Sequence, residues 1–234
     1  MNLRFAVLAV VAGCLASCNF TNTPRGPVTH ESKSVDLDQV ELARVGLKMS
    51  AGTLKVKGGS PKLLDADFTY NVPAWKPEVR YDNTGARGDL TIEQPTSSGD
   101  IGETTYIWDL RFNDQVATDL TANLGAGEAD LNLGTLALRS LEIQMGAGEM
   151  KLDLRGQPKH SYDVRIRGGV GEATVYLPKE AGIDADVQGG IGDISAHGLR
   201  KQDGRYISDN LDAAPVKIHL NIRGGIGSIT LIDE

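Results

Sequence analysis

Cysteine is almost absent from the 234 residues: only Cys14 and Cys18 occur, both within the first eighteen positions. The rest of the chain therefore excludes disulfides and cysteine metal sites, and its stability must come from an apolar core. Aromatic residues are scarce, at 5%. Beyond the first eighteen residues, no stretch reaches the roughly 18 apolar residues that a membrane-spanning helix needs. A basic excess is missing too, since 31 Asp+Glu outweigh 24 Lys+Arg. Such a balance argues against nucleic acid as a partner and against an electrostatic membrane patch. Glycine is what the chain has in quantity, 28 residues, set between short Val/Ile/Leu segments and scattered Asn and Asp. This pattern predicts an all-β protein, long enough for one large domain or two small ones.

The first eighteen residues read MNLRFAVLAVVAGCLASC. Arg4 gives a positive start and Phe5 to Gly13 an apolar stretch, the layout of an export leader. Leu15-Ala16-Ser17-Cys18 resembles a bacterial lipobox. That resemblance implies cleavage after residue 17 and diacylation of Cys18. Val11-Ala12-Gly13-Cys14 is a poorer match that would leave a short leader, and an ordinary secretory signal or a short membrane anchor is the plain alternative. Loss of residues 1–17 removes Arg4 and moves the formal charge from −7 to −8. The lipid would then hold the chain to a membrane. Residues 18–34 are polar, carry Pro24 and Pro27, and read as a flexible tether. In Gram-negative lipoproteins an aspartate after the acylated cysteine favours the inner membrane, so by resemblance Asn19 points to the outer one.

The body is repetitive. In one register it contains SAGTLKV (50–56), ARGDLTI (86–92), GAGEADL (125–131), GAGEMKL (146–152), GVGEATV (169–175), GIGDISA (190–196) and GIGSITL (225–231). The third position is always glycine: Gly52, Gly88, Gly127, Gly148, Gly171, Gly192 and Gly227. Apolar residues alternate on both sides, as in Leu141/Ile143/Met145 and Met150/Leu152/Leu154, which is the period of a strand. Each unit therefore reads as strand, glycine turn, strand, and a second turn. Units about 21 residues long suit the coils of a β-solenoid, whose apolar edges are buried only by stacking. Stacked corners bring backbone against backbone at about 4.8 Å, and a Cβ at the third position would clash. The first position tolerates Ser50 and Ala86, which predicts a weaker constraint there. Residues 197–215 read as an excursion from the coils.

The repeated GAGE…L.L and GGIG.I turns, with the segment from Val35 onward, resemble the toast-rack β-solenoid family, which includes the C-terminal part of LiaF-type envelope-stress regulators and adhesin-like domains. The resemblance covers roughly residues 35–234. It implies a single-stranded β-solenoid of short coils with glycine corners, a place at the cell envelope and no established catalytic residues; no cofactor is expected. It also suggests a division into an N-terminal toast-rack segment (35–120) and C-terminal solenoid repeats (121–234). The chain departs from LiaF in carrying a lipobox leader where that protein has membrane helices.

Several side chains stand out as candidate sites. Asp89, Glu128, Glu149, Glu172 and Asp193 each follow the third glycine. Stacked in register, Glu128 to Asp193 would form a carboxylate ladder, with cation capture as one reading and solvated turn residues as the other. Thr53 and Ser228 take this place in what read as the outer copies. Seven of the twelve aromatics fall within 68–112. Trp75, Tyr81 and Trp108 could form a binding platform for a glycan or protein; the same cluster could instead cap an open solenoid end. The Arg87-Gly88-Asp89 triplet is explained by the repeat. The four histidines show no ligand spacing. The glycine turns lie between strands with no helix following, so a phosphate-loop reading fails on context.

The sequence therefore predicts a non-enzymatic, lipid-anchored protein on the periplasmic or outer-membrane side of the envelope. Its role would be structural, interactive or stress-sensing, with an envelope protein or glycan as partner. A glycan-binding or carbohydrate-active solenoid is the second reading, and self-assembly by end-to-end strand pairing the third.

Overall fold

The computed structural model describes residues 25–95 and 104–234. The acylation expected at Cys18 lies outside them. Among the described residues fifteen strands form one continuous sheet. They are β1 (Thr29–Val35), β2 (Leu42–Lys57), β3 (Leu64–Tyr70), β4 (Glu78–Thr84), β5 (Arg87–Glu93), β6 (Tyr106–Phe112), β7 (Ala117–Asn132), β8 (Leu138–Asp153), β9 (Tyr162–Leu177), β10 (Gly182–Gln188), β11 (Ile194–His197), β12 (Arg200–Gln202), β13 (Arg205–Ile207), β14 (Lys217–Arg223) and β15 (Ile226–Asp233).

The glycine turn of the sequence is a bend inside a strand. β2, β7, β8 and β9 are each 16 residues long and run through their corner without losing the ladder. In β7 the buried residues are Thr118, Leu120, Ala122 and Leu124 before the corner, and Ala129 and Leu131 after it. The inward parity thus changes at Gly127, whose φ is +128°. Period two alone would turn the second half of the strand outward. The glycine resets the phase, so both arms of the bent strand face one core.

Stacking is parallel and in register. Gly52 pairs with Gly127, Gly127 with Gly148, Gly148 with Gly171, and Gly171 with Gly227. Gly192 completes the column beside Gly227. A Cβ at Gly127, Gly148, Gly171, Gly227 or Gly192 would lie 1.7–1.9 Å from the carbonyl oxygen of the coil beneath. No side chain fits there, and the positive φ disfavours one independently. The first position is tighter than the sequence suggested. A Cβ on Gly146 would meet the Gly125 oxygen at 2.3 Å. Ser50 is allowed because it ends the stack, where the Gln94 Oε1 accepts hydrogen bonds from the Ser50 and Ala51 N–H groups at 2.8 and 3.3 Å.

Six of the seven predicted glycines form the column. Gly88 does not; it lies in β5, opposite Ala43 of β2 and Asn83 of β4. Its lack of a side chain makes room for the Tyr81 ring, which a Cβ would approach to 2.9 Å. Stacking order also departs from chain order. β14 lies between β9 and β10, and β15 between β9 and β11. The last coil in sequence is therefore inserted between the two before it. The excursion expected at 197–215 contains the β12–β13 hairpin, and β13 adds antiparallel to β10.

At the other end the two arms of β2 part company. The first continues into β5 and β4, the second into β6, β3 and β1. β1 contains residues 29–34 of the expected tether, held antiparallel along β3. The division expected between residues 120 and 121 falls inside β7, which pairs with β2 along nearly its whole length.

Candidate functional site

Each outward position of an arm recurs in the next coil, so the surface is ruled into rows. The row after the corner runs Thr53, Glu128, Glu149, Glu172 and Ser228. Asp193 follows, next to Ser228 through the bonded pair Ile229 and Asp193. The three glutamates are adjacent and exposed. At about 4.8 Å in water their mutual repulsion is just under ~1 kcal/mol per pair, which solvation offsets. Asp193 is not the fourth rung, because the inserted coil places Ser228 between it and Glu172. Ser228 is an interior member of the row, not an outer one. The neighbouring row is Lys55, Asp130, Lys151 and Thr174, so cations stand beside the carboxylates. Among the described residues no group of three or more ligating side chains is placed to hold a metal ion.

At the turn edge of this face Arg155 joins the coils. Its guanidinium bonds Asp153, ion-pairs with Glu234, and lies 4.6 Å over the Tyr176 ring. The side-chain hydrogen bond from Arg155 holds the Asp153 carboxyl below the usual aspartate range. On the other arm, Arg223 bonds Asp186 at 2.8 Å and lowers it likewise.

The aromatic residues take the capping role. Trp75, Trp108, Tyr106 and Phe68 are all buried. They meet edge-on or tilted, with ring centroids 5.7–5.9 Å apart. The Tyr106 hydroxyl donates to the Trp75 carbonyl at 2.7 Å. Tyr81 packs against the core over Gly88. Trp75, Trp108 and Tyr81 therefore form no external platform, because the open end of the solenoid consumes their apolar area.

One surface feature escaped the sequence reading. The corner exists in two forms. In β2, β7 and β8 it reads Met49-Ser50-Ala51-Gly52, Leu124-Gly125-Ala126-Gly127 and Met145-Gly146-Ala147-Gly148. In the other three coils it reads Gly168-Gly169-Val170-Gly171, Gly224-Gly225-Ile226-Gly227 and Gly189-Gly190-Ile191-Gly192. The large apolar side chain has moved from the inward position to the outward one. Val170, Ile226 and Ile191 are 55%, 53% and 71% exposed and lie in adjacent coils. Inside, Ile229 and Ile194 reach toward the vacated space at Gly224 and Gly189. In β9 both facing residues, Gly168 and Ala173, are small, and a cavity of about 50 Å³ remains between Met145, Met150 and Ile229. The signal was legible as the change from Leu/Met-Gly-Ala-Gly to Gly-Gly-Ile/Val-Gly, but it needs the inward and outward positions to be known.

The bent parallel ladder, the glycine column and the ruled faces define a parallel β-solenoid. Residues 24–176 match the N-terminal domain of toast_rack, and residues 126–231 match "Cell wall-active antibiotics response LiaF, C-terminal". The chain belongs to the toast-rack family. A crystal structure of a candidate cell adhesion protein from Clostridium sporogenes is 31% identical, with a TM-score of 0.86, over 88% of this chain and 100% of that one. A candidate adhesin from Bacteroides fragilis is 11% identical over 87% of this chain and 96% of that one, and its TM-score of 0.31 is too low to support any comparison. No curated protein matches the chain.

Proposed function

We infer that this chain is a non-enzymatic protein of the bacterial cell envelope, anchored by lipid at Cys18, which offers the ruled face of its solenoid to another envelope component. The observation that carries this reading is the face itself. Exposed Glu128, Glu149 and Glu172 stand one per coil beside Lys55 and Lys151, on an in-register ladder that fixes their spacing. A rigid, regularly charged face suits recognition of an extended partner, because electrostatic complementarity sets register and specificity. The description of the C-terminal match, a cell-wall antibiotic response, supports an envelope role such as stress sensing. The name of the Clostridium structure supports an adhesive or interactive one. The glycan-binding alternative loses its aromatic platform with the burial of Trp75 and Trp108.

The test is crosslinking in native cells from a photoreactive residue at Glu149, with Lys159 in the opposite turn as control. One partner captured from position 149 and absent from position 159 supports the reading. Equal capture from both positions removes the face as the site. Mass spectrometry of the mature N-terminus checks the anchor, which fails if Cys18 carries no lipid.

A further inference from the structure

Among the described residues four large apolar side chains are exposed: Val28, Val170, Ile191 and Ile226. Three of them form the adjacent corner row described above. The fourth lies on the same edge of the molecule. Thr29 pairs with Tyr70, Tyr70 with Tyr106, and the Tyr106 carbonyl abuts Gly52, the first glycine of the column. Val28 therefore leaves the sheet at the level of the glycine corners. The chain is still fixed two residues earlier, where the Gly26 N–H donates to the Asn71 carbonyl at 2.8 Å. From β1 through β3, β6, β2, β7, β8, β9 and β15 to β11 there are eight strand steps. The edge is thus about 38 Å long at the usual strand spacing, with Val28 near one end and the Val170–Ile226–Ile191 row at the other.

We propose that this corner edge is the membrane-facing edge, and that Val170, Ile226 and Ile191 seat in the interfacial layer of a lipid bilayer. The proposal rests on the lipoprotein reading of Cys18 for its first argument. Eight residue steps separate Cys18 from the fixed Gly26, a reach of at most about 29 Å. A lipid at Cys18 confines the body close to the bilayer, and its attachment point lies on the apolar edge. The second argument is independent of the anchor. Val170, Ile226 and Ile191 have no place in the core and stand 53–71% exposed at the corner. Their burial in lipid is favourable in proportion to the apolar area removed from water. Charge does not select the lipid, since the row before the corner carries Arg167 and Arg223 and the row after it Glu172 and Asp193. The surface recognised is therefore the apolar boundary of a bilayer rather than an anionic headgroup. Two separated contacts would fix the solenoid edge-on and leave its ruled faces free.

The test uses the full-length chain, processed in the cell and reconstituted in phosphatidylcholine vesicles. With Cys18 acylated, a cysteine introduced as Ile226→Cys or Lys159→Cys is the sole free thiol of the mature chain and takes an environment-sensitive dye. On the vesicles the dye at 226 should be blue-shifted by the apolar surroundings and quenched when nitroxide lipids are included, while the dye at 159 should show neither change. Equal, solvent-like emission at both positions overturns the inference while the lipid on Cys18 still stands. A parallel arm removes leader and anchor together by producing residues 19–234 without an export signal, and measures vesicle co-sedimentation. The triple variant Val170→Asn/Ile226→Asn/Ile191→Asn should lower the bound fraction at least about tenfold with an unchanged melting temperature. No difference between the two chains overturns the inference whether or not Cys18 is acylated. Protection of the dye at 226 that rises with protein concentration in the absence of vesicles would assign the edge to a second copy instead, and also overturns it.

Discussion

The corners at Gly52, Gly127 and Gly148 differ from those at Gly171, Gly227 and Gly192 by one exchange. The first three hold Met49, Leu124 and Met145 inward and an alanine outward; the second three hold glycine inward and Val170, Ile226 or Ile191 outward. Backbone geometry is the same in both sets, with φ between +127° and +143° at the third glycine. The fold therefore demands only the third glycine and the close approach beside it. The remaining corner positions are free to serve the core or the surface. The N-terminal coils spend apolar volume on packing. Among the C-terminal coils β9 leaves a cavity and all three present a ridge, an arrangement that makes sense when the ridge meets something outside the molecule.

The comparison is open to direct attack, and the most severe test concerns the inserted coil. Deleting residues 217–234 removes β14 and β15 from between β9 and the β10–β11 coil. Amide hydrogen exchange in β10 and β11 should lose its protection, while β7 and β8 keep theirs; intact protection in β10 would break the stacking order described here. Next in size are Gly148→Ala and Gly171→Ala, one from each set. Both combine a positive φ with a Cβ under 2 Å from a carbonyl oxygen. Each should cost about 3 kcal/mol or more in chemical denaturation. A large cost in one set only would mean that the two corners are not equivalent.

Converting a first-set corner into the second form, by Met145→Gly, should cost about 2–4 kcal/mol, since buried volume is lost without an isoleucine positioned to refill it. The reverse change is small and favourable. At Gly168 an added Cβ meets nothing within 4 Å and φ is not positive, so Gly168→Ala should gain about 0.4–1 kcal/mol. The smallest effect lies at Asp233, at the end of β15. Burial raises its carboxyl above the usual range, against the pull of Lys179, and one oxygen is buried without a partner. A group with a raised folded value favours the fold most where it is protonated, and that contribution is lost as pH rises through the folded value. Asp233→Asn should therefore raise the melting temperature at pH 7, with the gain vanishing below the ordinary carboxylate range.

Several elements were legible in the residues alone. The seven-fold register found the corner glycines, with Gly88 the single intruder. ARGDLTI copies the alternation of a corner, but its glycine answers to the Tyr81 ring rather than to a neighbouring coil. Alternation placed Leu131, Leu152 and Val175 in the core correctly. It could not show that the strand continues through the bend, because period two carries no information about a phase shift at one residue. The carboxylate row was visible as Glu128, Glu149 and Glu172, and Asp193 was misplaced for the same reason that the stacking order was. Trp75 and Trp108 are equally apt for an outer platform or an inner cap. Only the presence of an open solenoid end, with unsatisfied apolar area to cover, assigned them inward.

What the sequence determined by itself is everything that depends on one coil. Glycine at the third position, alternation on either side, and the length between corners are local constraints of backbone sterics and pleat, and they are written in each repeat. What only the tertiary structure decided is how coils meet. Parallel ladders are bonded through backbone groups that are the same in every residue, so nothing in the 217–233 segment marks it for the gap between β9 and β10 rather than for the end of the stack. Its place, the cavity beside Gly168, and the single edge shared by Val28, Val170, Ile226 and Ile191 exist only once the coils are assembled.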